Sequence, residues 1–126
     1  MKESEARKKF ESIIKKRKCL ICGGEINFDN PGLMIGVSIE NTEYSKNKVK
    51  SMVFLHKGEC DYHYFEHFRN CKLSEHFTVL LDFDWLQQLA SHYKDNDFYA
   101  YHIEKKAIQD FKLFFKDFYD LWQEVR

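Results

Sequence analysis

The sequence predicts an α+β fold for this chain of 126 residues: a basic N-terminal helix, a ββα centre and a C-terminal hairpin of aromatic helices. Three observations predict it. A Cys-x-x-Cys-Gly-Gly motif begins at Cys19, two apolar runs with strand-like character follow it, and the end of the chain repeats apolar residues at helical spacing. The chain has the length of one domain, which we divide into residues 1–18, 19–72 and 73–126.

The charges cancel over the whole chain but not along it. Twenty Lys and Arg residues balance twenty Asp and Glu residues, so no net field attracts the protein to nucleic acid or to a membrane surface. Residues 1–18 nevertheless contain eight basic residues against three acidic ones, and residues 59–126 contain eight against thirteen. A basic start and an acidic second half therefore flank a balanced middle.

The cysteines are interpreted from the expected location of the protein. The first residues are charged and no run approaches the roughly 20 apolar residues of a membrane span, so we predict a cytoplasmic protein. Because the cytosol keeps thiols reduced, the four cysteines are expected to be metal ligands and a spare rather than two disulfides. Cys71 is the spare, since it has no partner at ligand spacing.

The first predicted helix covers residues 4–18, with Ser4 as its N-cap. One stripe of this helix contains Phe10, Ile13, Ile14 and Arg17. The other faces are rich in Lys and Arg. They are interpreted as a solvated surface, with an arm that contacts phosphate or an acidic partner as the alternative.

Two thiolates are expected to converge at Cys19 and Cys22, because the Cys-x-x-Cys-Gly turn points both side chains at one spot. Gly23 is suited to the positive φ that such a tight turn requires. This turn is called the knuckle below and comprises residues 19–24.

A β-hairpin is predicted after the knuckle. Residues 30–33 have the composition of a type II turn with Gly32 in the left-handed position. Residues 33–39 alternate as a strand with one buried face, residues 40–50 form a polar loop, and residues 51–56 return as the partner strand. A helix then runs from residue 59 to about 70. Its expected apolar face consists of Tyr62, Phe65 and Phe68.

A second pair of soft ligands lies at the junction of that strand and helix. His56 ends the strand and Cys60 lies in the first turn of the helix, and four such ligands complete a tetrahedral structural zinc site. His63 is a competing fourth ligand, because it lies one helical turn beyond Cys60. The two ligand sets remain open at this point.

The C-terminal part is predicted to be mainly helical. Residues 77–81 form either a third strand or an extended approach to the next helix, since periodicity alone does not decide. A short helix capped by Asp82 or Asp84 runs to about Tyr93, and a long one covers about residues 98–125. Its seven-residue apolar repeat comprises Ala107, Phe111, Phe114, Phe118, Leu121 and Val125. This stripe is expected to pack within the domain, with a second copy or another chain as the alternative.

Knuckle, hairpin and helix follow one another in the order of a treble-clef zinc finger. Within that group, residues 19–68 resemble the zinc fingers of poly(ADP-ribose) polymerases. The resemblance is carried by Cys19-x-x-Cys22, Ile26, Ile35, Val37, Phe54-Leu-His56 and Cys60. It implies a structural zinc ion bound by Cys19, Cys22, His56 and Cys60.

The function expected from these features is non-enzymatic. We interpret the chain as a zinc-binding module that acts as a small intracellular protein-binding regulator, adaptor or inhibitor. Balanced charge, an acidic second half and many Tyr and Phe residues favour a protein partner. Homodimerisation through the C-terminal helix is the alternative to packing of its stripe within the domain, and no membrane interaction is expected.

The alternative function is nucleic-acid binding through the basic helix and the hairpin loop, where lysine and arginine would contact phosphates. The candidate residues are Arg7, Lys8, Lys9, Lys15, Lys16, Arg17, Lys18, Lys46, Lys48 and Lys50.

Two patterns in the sequence resemble catalytic motifs. The string His63-x-x-Glu66-His67 fits the inverted motif of zinc proteases, but such an enzyme needs a larger body and a further carboxylate. Nucleases of the His-metal type also use a treble-clef frame, but they would need His56 as a base, and a zinc ion would occupy it. We therefore do not expect an enzyme.

Overall fold

A computed structural model describes residues 2–15, 17–27, 30–36, 52–68, 77–94 and 105–126. In chain order the elements are helix α1 (Glu3–Ile14), strand β1 (Gly32–Gly36), strand β2 (Val53–His56), helix α2 (Glu59–Phe68), strand β3 (Phe77–Leu81), a 3-10 turn (Phe83–Trp85), helix α3 (Leu86–Ser91) and helix α4 (Lys105–Val125). Helices and a small sheet thus occur together, and the predicted α+β class is confirmed. No helix in the described ranges combines the length and the apolar character that crossing a membrane requires.

The sheet has three antiparallel strands in the order β2-β1-β3. Leu33 lies opposite Leu55 on one side and Leu80 on the other, which sets the register of the whole sheet. The predicted hairpin of β1 and β2 is therefore confirmed, and residues 77–81 form the third strand rather than an extended approach.

Both faces of the sheet are buried, which corrects the prediction of one buried face. Met34 and Ile35 follow each other in β1, point to opposite faces and are each 0% exposed. Met34 belongs to a core cluster with residues of α1, α3 and α4, whereas Ile35 belongs to a cluster with Leu55 and with Tyr64 of α2. The sheet therefore lies between α2 and the other helices, and its strands are apolar runs rather than alternating ones.

Helix α4 supplies more of the described residues of the larger core than any other element. The repeat residues Ala107, Phe111, Phe114, Phe118 and Leu121 are buried, and Val125 packs against them. Rings contact one another across the helices: the centroid of Phe118 lies 5.2 Å from that of Phe10 in α1 and 5.0 Å from that of Phe114. The aromatic stripe is thus buried within the chain, which is the packing expected from its seven-residue repeat.

Helix α1 is shorter than predicted. It ends at Ile14 rather than at residue 18, and its N-cap is Lys2, which makes no side-chain capping bond, so Ser4 is not the cap. Beyond the end of this helix, Arg17 is partly buried and packs against two rings. Its guanidinium carbon lies 5.4 Å from the ring centroids of both Phe54 and Phe114.

Helices α2 and α3 also differ from prediction in detail. Tyr62 was expected on the buried face of α2 but is 69% exposed, and Tyr64 is the buried residue instead, at 3%. Before α3, the carboxylate of Asp82 accepts a hydrogen bond from the backbone N–H of Asp84 at 3.0 Å. That bond caps the 3-10 turn, and α3 itself begins only at Leu86.

Position 32 was predicted to need glycine for a left-handed conformation, but it needs glycine because a side chain there would clash with Ile26. It begins strand β1, and its φ lies outside the positive range. A Cβ atom at this position would lie 2.5 Å from Cγ2 of the buried Ile26. The segment after the knuckle can therefore cross close to β1 only because position 32 has no side chain.

Candidate metal centre

The knuckle is a closed turn held by its own backbone. The N–H of Gly23 donates to the carbonyl of Cys19, and the N–H of Cys19 donates to the carbonyl of Gly24, each at 2.9 Å. Gly23 has a φ of +74°, which confirms the predicted positive φ. Lys18 and Glu25 form an antiparallel bridge that closes the base of the turn.

Strand β2 holds the knuckle beside the second pair of donors. Cys19 forms a parallel bridge with Phe54, and the N–H of Leu20 donates to the carbonyl of Phe54 at 2.8 Å. Because His56 lies two residues further along β2, it projects from the same face as Phe54. The first cysteine pair therefore lies next to the histidine, although Cys22 and His56 are 34 residues apart in the sequence.

A tight turn then brings the last donor back. Gly58 has a φ of +121°, and its N–H donates to the carboxylate of Asp61 at 2.6 Å. The carboxylate at the third position of α2 thus caps the helix start, as in a capping box. Cys60 consequently lies in the first turn of α2 and faces back toward His56.

Four donor atoms converge at this place. The sulfurs of Cys19, Cys22 and Cys60 and a ring nitrogen of His56 all lie within 4.8 Å of one another. Nδ1 of His56 lies 3.2 Å from Sγ of Cys22 and 3.9 Å from Sγ of Cys60. Cys19 and His56 are buried, Cys60 is half-buried, and Cys22 is exposed. The cluster therefore lies at the edge of the protein with one wall open to solvent.

The imidazole of His56 is oriented by the backbone. Its Nε2 lies 2.7 Å from the carbonyl oxygen of Glu25, so Nε2 carries the proton and donates it. Nδ1 is then the unprotonated nitrogen, and it is directed at the sulfurs. Metal-binding histidines commonly have their second nitrogen held in this way, which sets the tautomer and the ring orientation.

The thiols of Cys19 and Cys60 have pKa values that are shifted in opposite directions. Burial raises the pKa of Cys19, but the backbone N–H groups of Cys22, His56 and Ile21 and the side chain of Cys60 outweigh it and lower the pKa to about 6. For Cys60, burial and then hydrogen bonds and charge repulsion from Cys19 and Cys22 raise the pKa to about 12. A bound cation would supply the positive charge that lets all three sulfurs ionise together.

Gly24 lets the backbone approach the donors. A Cβ atom there would lie 3.3 Å from Cε1 of His56 and 3.4 Å from Sγ of Cys22. The N–H of Gly24 also donates to that same sulfur at 3.4 Å. The second glycine of the motif therefore contributes a hydrogen bond to the site as well as the space for it.

These donors suit a metal ion. Three sulfurs and one imidazole nitrogen are the ligand types of closed, four-coordinate structural sites. His63, the alternative fourth ligand, is exposed on α2 and lies outside the cluster. The Cys-Cys-His-Cys cluster is thus positioned to bind a metal.

Of the predicted basic residues that the structure describes, two pair with acidic side chains and the others lie at separate places. Arg7 pairs with Glu3 at 3.1 Å and with Asp84 at 3.4 Å, and Lys9 pairs with Glu124 at 2.9 Å. Lys8 and Lys15 line an open groove of about 580 Å³ beside the knuckle. Lys18 is exposed at the base of the knuckle. Four candidate lysines lie outside the described residues: Lys16, Lys46, Lys48 and Lys50. The spare cysteine, Cys71, also lies outside them.

Two contributors to this part of the protein were missed by sequence reasoning. The carbonyl of Glu25 orients His56, and the side chain of Arg17 packs between two rings. A carbonyl group is common to every residue, so no sequence signal could have identified Glu25. The position of Arg17 at the end of an apolar stripe was the available signal for its partial burial.

The fold and the site together define an α+β protein with a Cys-Cys-His-Cys cluster positioned to bind a metal. Comparison of the chain with protein-family models, with curated proteins and with solved structures finds no match.

Alanine substitution of the two histidines should separate the competing ligand sets. We expect His56→Ala to lower metal affinity by more than about 100-fold, because changes in the surrounding hydrogen bonds alone cost about 10- to 100-fold. His63→Ala is the matched control and should retain wild-type affinity, since its side chain lies on the exposed face of α2. Competition with a chromogenic chelator measures both constants. Equal losses in the two variants would contradict the assignment of His56.

Proposed function

We propose that the chain is a non-enzymatic zinc-binding module whose metal is structural. The convergence of four protein donors within 4.8 Å is the observation that carries this proposal. Zinc is favoured because thiolate and imidazole ligands in a set of four match its tetrahedral preference. Four protein ligands also complete that coordination, so substrate would have no open position on the metal.

The proposed class of the site is a treble-clef zinc finger of the kind found in poly(ADP-ribose) polymerases. Its support is the origin of the donors in the fold. Two come from the knuckle, one from the end of β2, and one from the first turn of α2. The hairpin lies between the two pairs, so the order of elements and the origin of the donors both agree with that class.

The proposed role is to bind another protein, as a small intracellular regulator, adaptor or inhibitor. Leu20 and Ile21 lie between the two knuckle cysteines and are 54% and 40% exposed. Their backbone is held by the bridge to Phe54 and, in this proposal, by the metal on both sides. A rigid pair of exposed apolar side chains suits a protein contact, because little conformational freedom remains to be lost on binding.

Metal analysis and affinity capture test this proposal together. We expect one zinc ion per chain in the purified protein and a protein partner that is captured after nuclease treatment. Leu20→Asp/Ile21→Asp should lose that partner and keep its zinc, whereas Lys8→Glu/Lys15→Glu should keep both. A chain that purifies without metal after folding in zinc-containing medium would overturn the zinc assignment. A partner that binds the aspartate variant unchanged would overturn the role of the knuckle.

Nucleic-acid binding is the second candidate function, and the groove beside the knuckle supports it. Lys8 and Lys15 line this groove together with Glu11, Ser12 and Glu25, and neither lysine forms an ion pair with any residue that the structure describes. A phosphate-binding surface should lose affinity log-linearly as salt rises, whereas a protein-binding one should leave a DNA resin at low salt. Retention that is salt-dependent in the wild type and absent in Lys8→Glu/Lys15→Glu would favour this second function.

A further inference from the structure

The three cysteines of the cluster differ in their access to solvent. Cys22 is exposed, Cys60 is half-buried, and Cys19 is 3% exposed. All three are free of disulfides. Oxidation of cysteine follows the exposure of the sulfur and its thiolate character, and a metal-bound cysteine is a thiolate. Cys22 is therefore the ligand that a small oxidant in solution reaches first.

A second sulfur lies beside the exposed one in the same turn. The Sγ atoms of Cys19 and Cys22 lie within 4.8 Å of each other. Cysteines separated by two residues form disulfides in redox proteins, so this spacing is compatible with a bond between them. The knuckle is already closed by the backbone hydrogen bonds of Cys19 with Gly23 and Gly24. A disulfide within it would not require two remote segments of the chain to move, whereas one to Cys60 would join the knuckle to α2.

We propose that Cys22 is an oxidation site through which hydrogen peroxide releases the metal, an inference that rests on the proposed zinc site. The Cys22 thiolate attacks one peroxide oxygen: an S–O bond forms, the O–O bond breaks, hydroxide leaves, and the sulfur gives up two electrons to the peroxide. The Cys19 thiolate then attacks Sγ of Cys22, so that an S–S bond forms, the S–O bond breaks and a second hydroxide leaves. Two thiolates and one peroxide thus give one disulfide and two hydroxide ions.

Formation of this disulfide removes two of the four donors. His56 and Cys60 are then the only ligands left in the cluster, and two ligands do not make a structural zinc site. Metal binding stabilises the folded state of such a site, so its loss favours opening of the ββα centre, while the core cluster on the other face of the sheet is retained. A thiol reductant exchanges with the disulfide and restores both thiolates, which makes the switch reversible.

A two-arm experiment on the full chain separates this inference from the proposed zinc site. The first arm measures the zinc content of reduced protein, and protein without zinc would overturn both. The second arm adds hydrogen peroxide to zinc-loaded protein, follows zinc release with a chromogenic chelator and maps disulfides by mass spectrometry. We expect equal amounts of released zinc and of disulfide between Cys19 and Cys22, and zinc binding that returns after reduction. Zinc that is retained, or released with a Cys60 disulfide or with sulfinic acid at Cys22, would overturn the inference and leave the zinc site intact.

Two cysteine variants supply the matched comparison. Cys22→His keeps four candidate zinc ligands but removes the exposed sulfur, so its zinc release at the same peroxide concentration should be at least about tenfold slower than in the wild type. Cys71→Ser removes the spare cysteine and should release zinc at the wild-type rate. If Cys22→His does not load with zinc, the disulfide map of the Cys71→Ser protein decides the question. Release from a zinc-loaded Cys22→His protein at the wild-type rate would assign the oxidation to another sulfur.

Discussion

Replacing Cys22 by serine should strongly weaken binding of the proposed zinc ion and unfold the ββα centre. Serine keeps the size of the side chain but removes one of four ligands, and Cys22 is exposed, so little packing is lost with the sulfur. Structural zinc contributes about 10–16 kcal/mol of apparent binding free energy in zinc-finger peptides, and most of this disappears when the ligand set is incomplete. We expect metal affinity to fall by more than about 100-fold.

Loss of the metal should unfold the ββα centre before it unfolds the rest of the domain. The cluster that includes Cys19, Ile35, Leu55 and Tyr64 is small, whereas the cluster that contains α4 lies on the other face of the sheet. Thermal unfolding of Cys22→Ser should therefore begin at lower temperature in the ββα centre, and wild-type protein treated with a strong zinc chelator should behave in the same way. Hydrogen exchange of α2 and of α4 distinguishes the two regions.

Cys71→Ser is the control for this experiment, since Cys71 was interpreted as a spare cysteine and should be dispensable for zinc. It should bind one ion per chain and melt like the wild type. If Cys22→Ser retained full zinc occupancy, or if the chelator left the melting curve unchanged, the four donors would not constitute a structural metal site.

Phe118→Ala in α4 should cause the second large effect, a loss of about 3–5 kcal/mol in the free energy of unfolding. Phe118 is 0% exposed, and its ring contacts those of Phe10 and Phe114. Truncation removes buried apolar area, leaves a cavity and breaks ring contacts between α1 and α4. Because domains are typically stable by only about 5–15 kcal/mol, this single change should remove a large part of the total.

Leu113→Ala is the matched control on the same helix. Leu113 is 66% exposed, so its truncation should change the free energy of unfolding by no more than about 0.5 kcal/mol. Urea titration followed by far-ultraviolet circular dichroism measures both values in zinc-loaded protein. Similar losses in the two variants would mean that the aromatic stripe is not the main source of stability.

Local patterns account for the parts of the fold that the sequence predicted well. The φ of Gly23 follows from the tightness of a Cys-x-x-Cys-Gly turn, and the buried stripe of α4 follows from apolar residues at steps of three and four. The start of α2 after Gly58 has a similar origin, because a strand break followed by acidic residues favours a helix N-terminus. In each case the interactions involved span only a few residues.

Long-range packing decided the features that were predicted wrongly. Gly32 resembled a turn residue, yet it is needed because Ile26 crosses it. The stripe of α1 suggested a helix as far as residue 18, yet the helix ends at Ile14 and Arg17 lies against the rings of Phe54 and Phe114. The residues next to these positions in the sequence do not indicate which distant atoms they pack against.

The same division applies to the metal centre. Residue types and spacing alone established that two cysteines share a turn and that a histidine and a further cysteine form a second pair. They left His56 and His63 as alternatives, because both lie within reach of Cys60 along the chain. The tertiary fold brings His56 to the knuckle: β2 pairs with Cys19, and the carbonyl of Glu25 directs Nδ1 at the sulfurs. Spacing along a chain limits which donors are near each other, but hydrogen bonds between remote segments decide which of them meet.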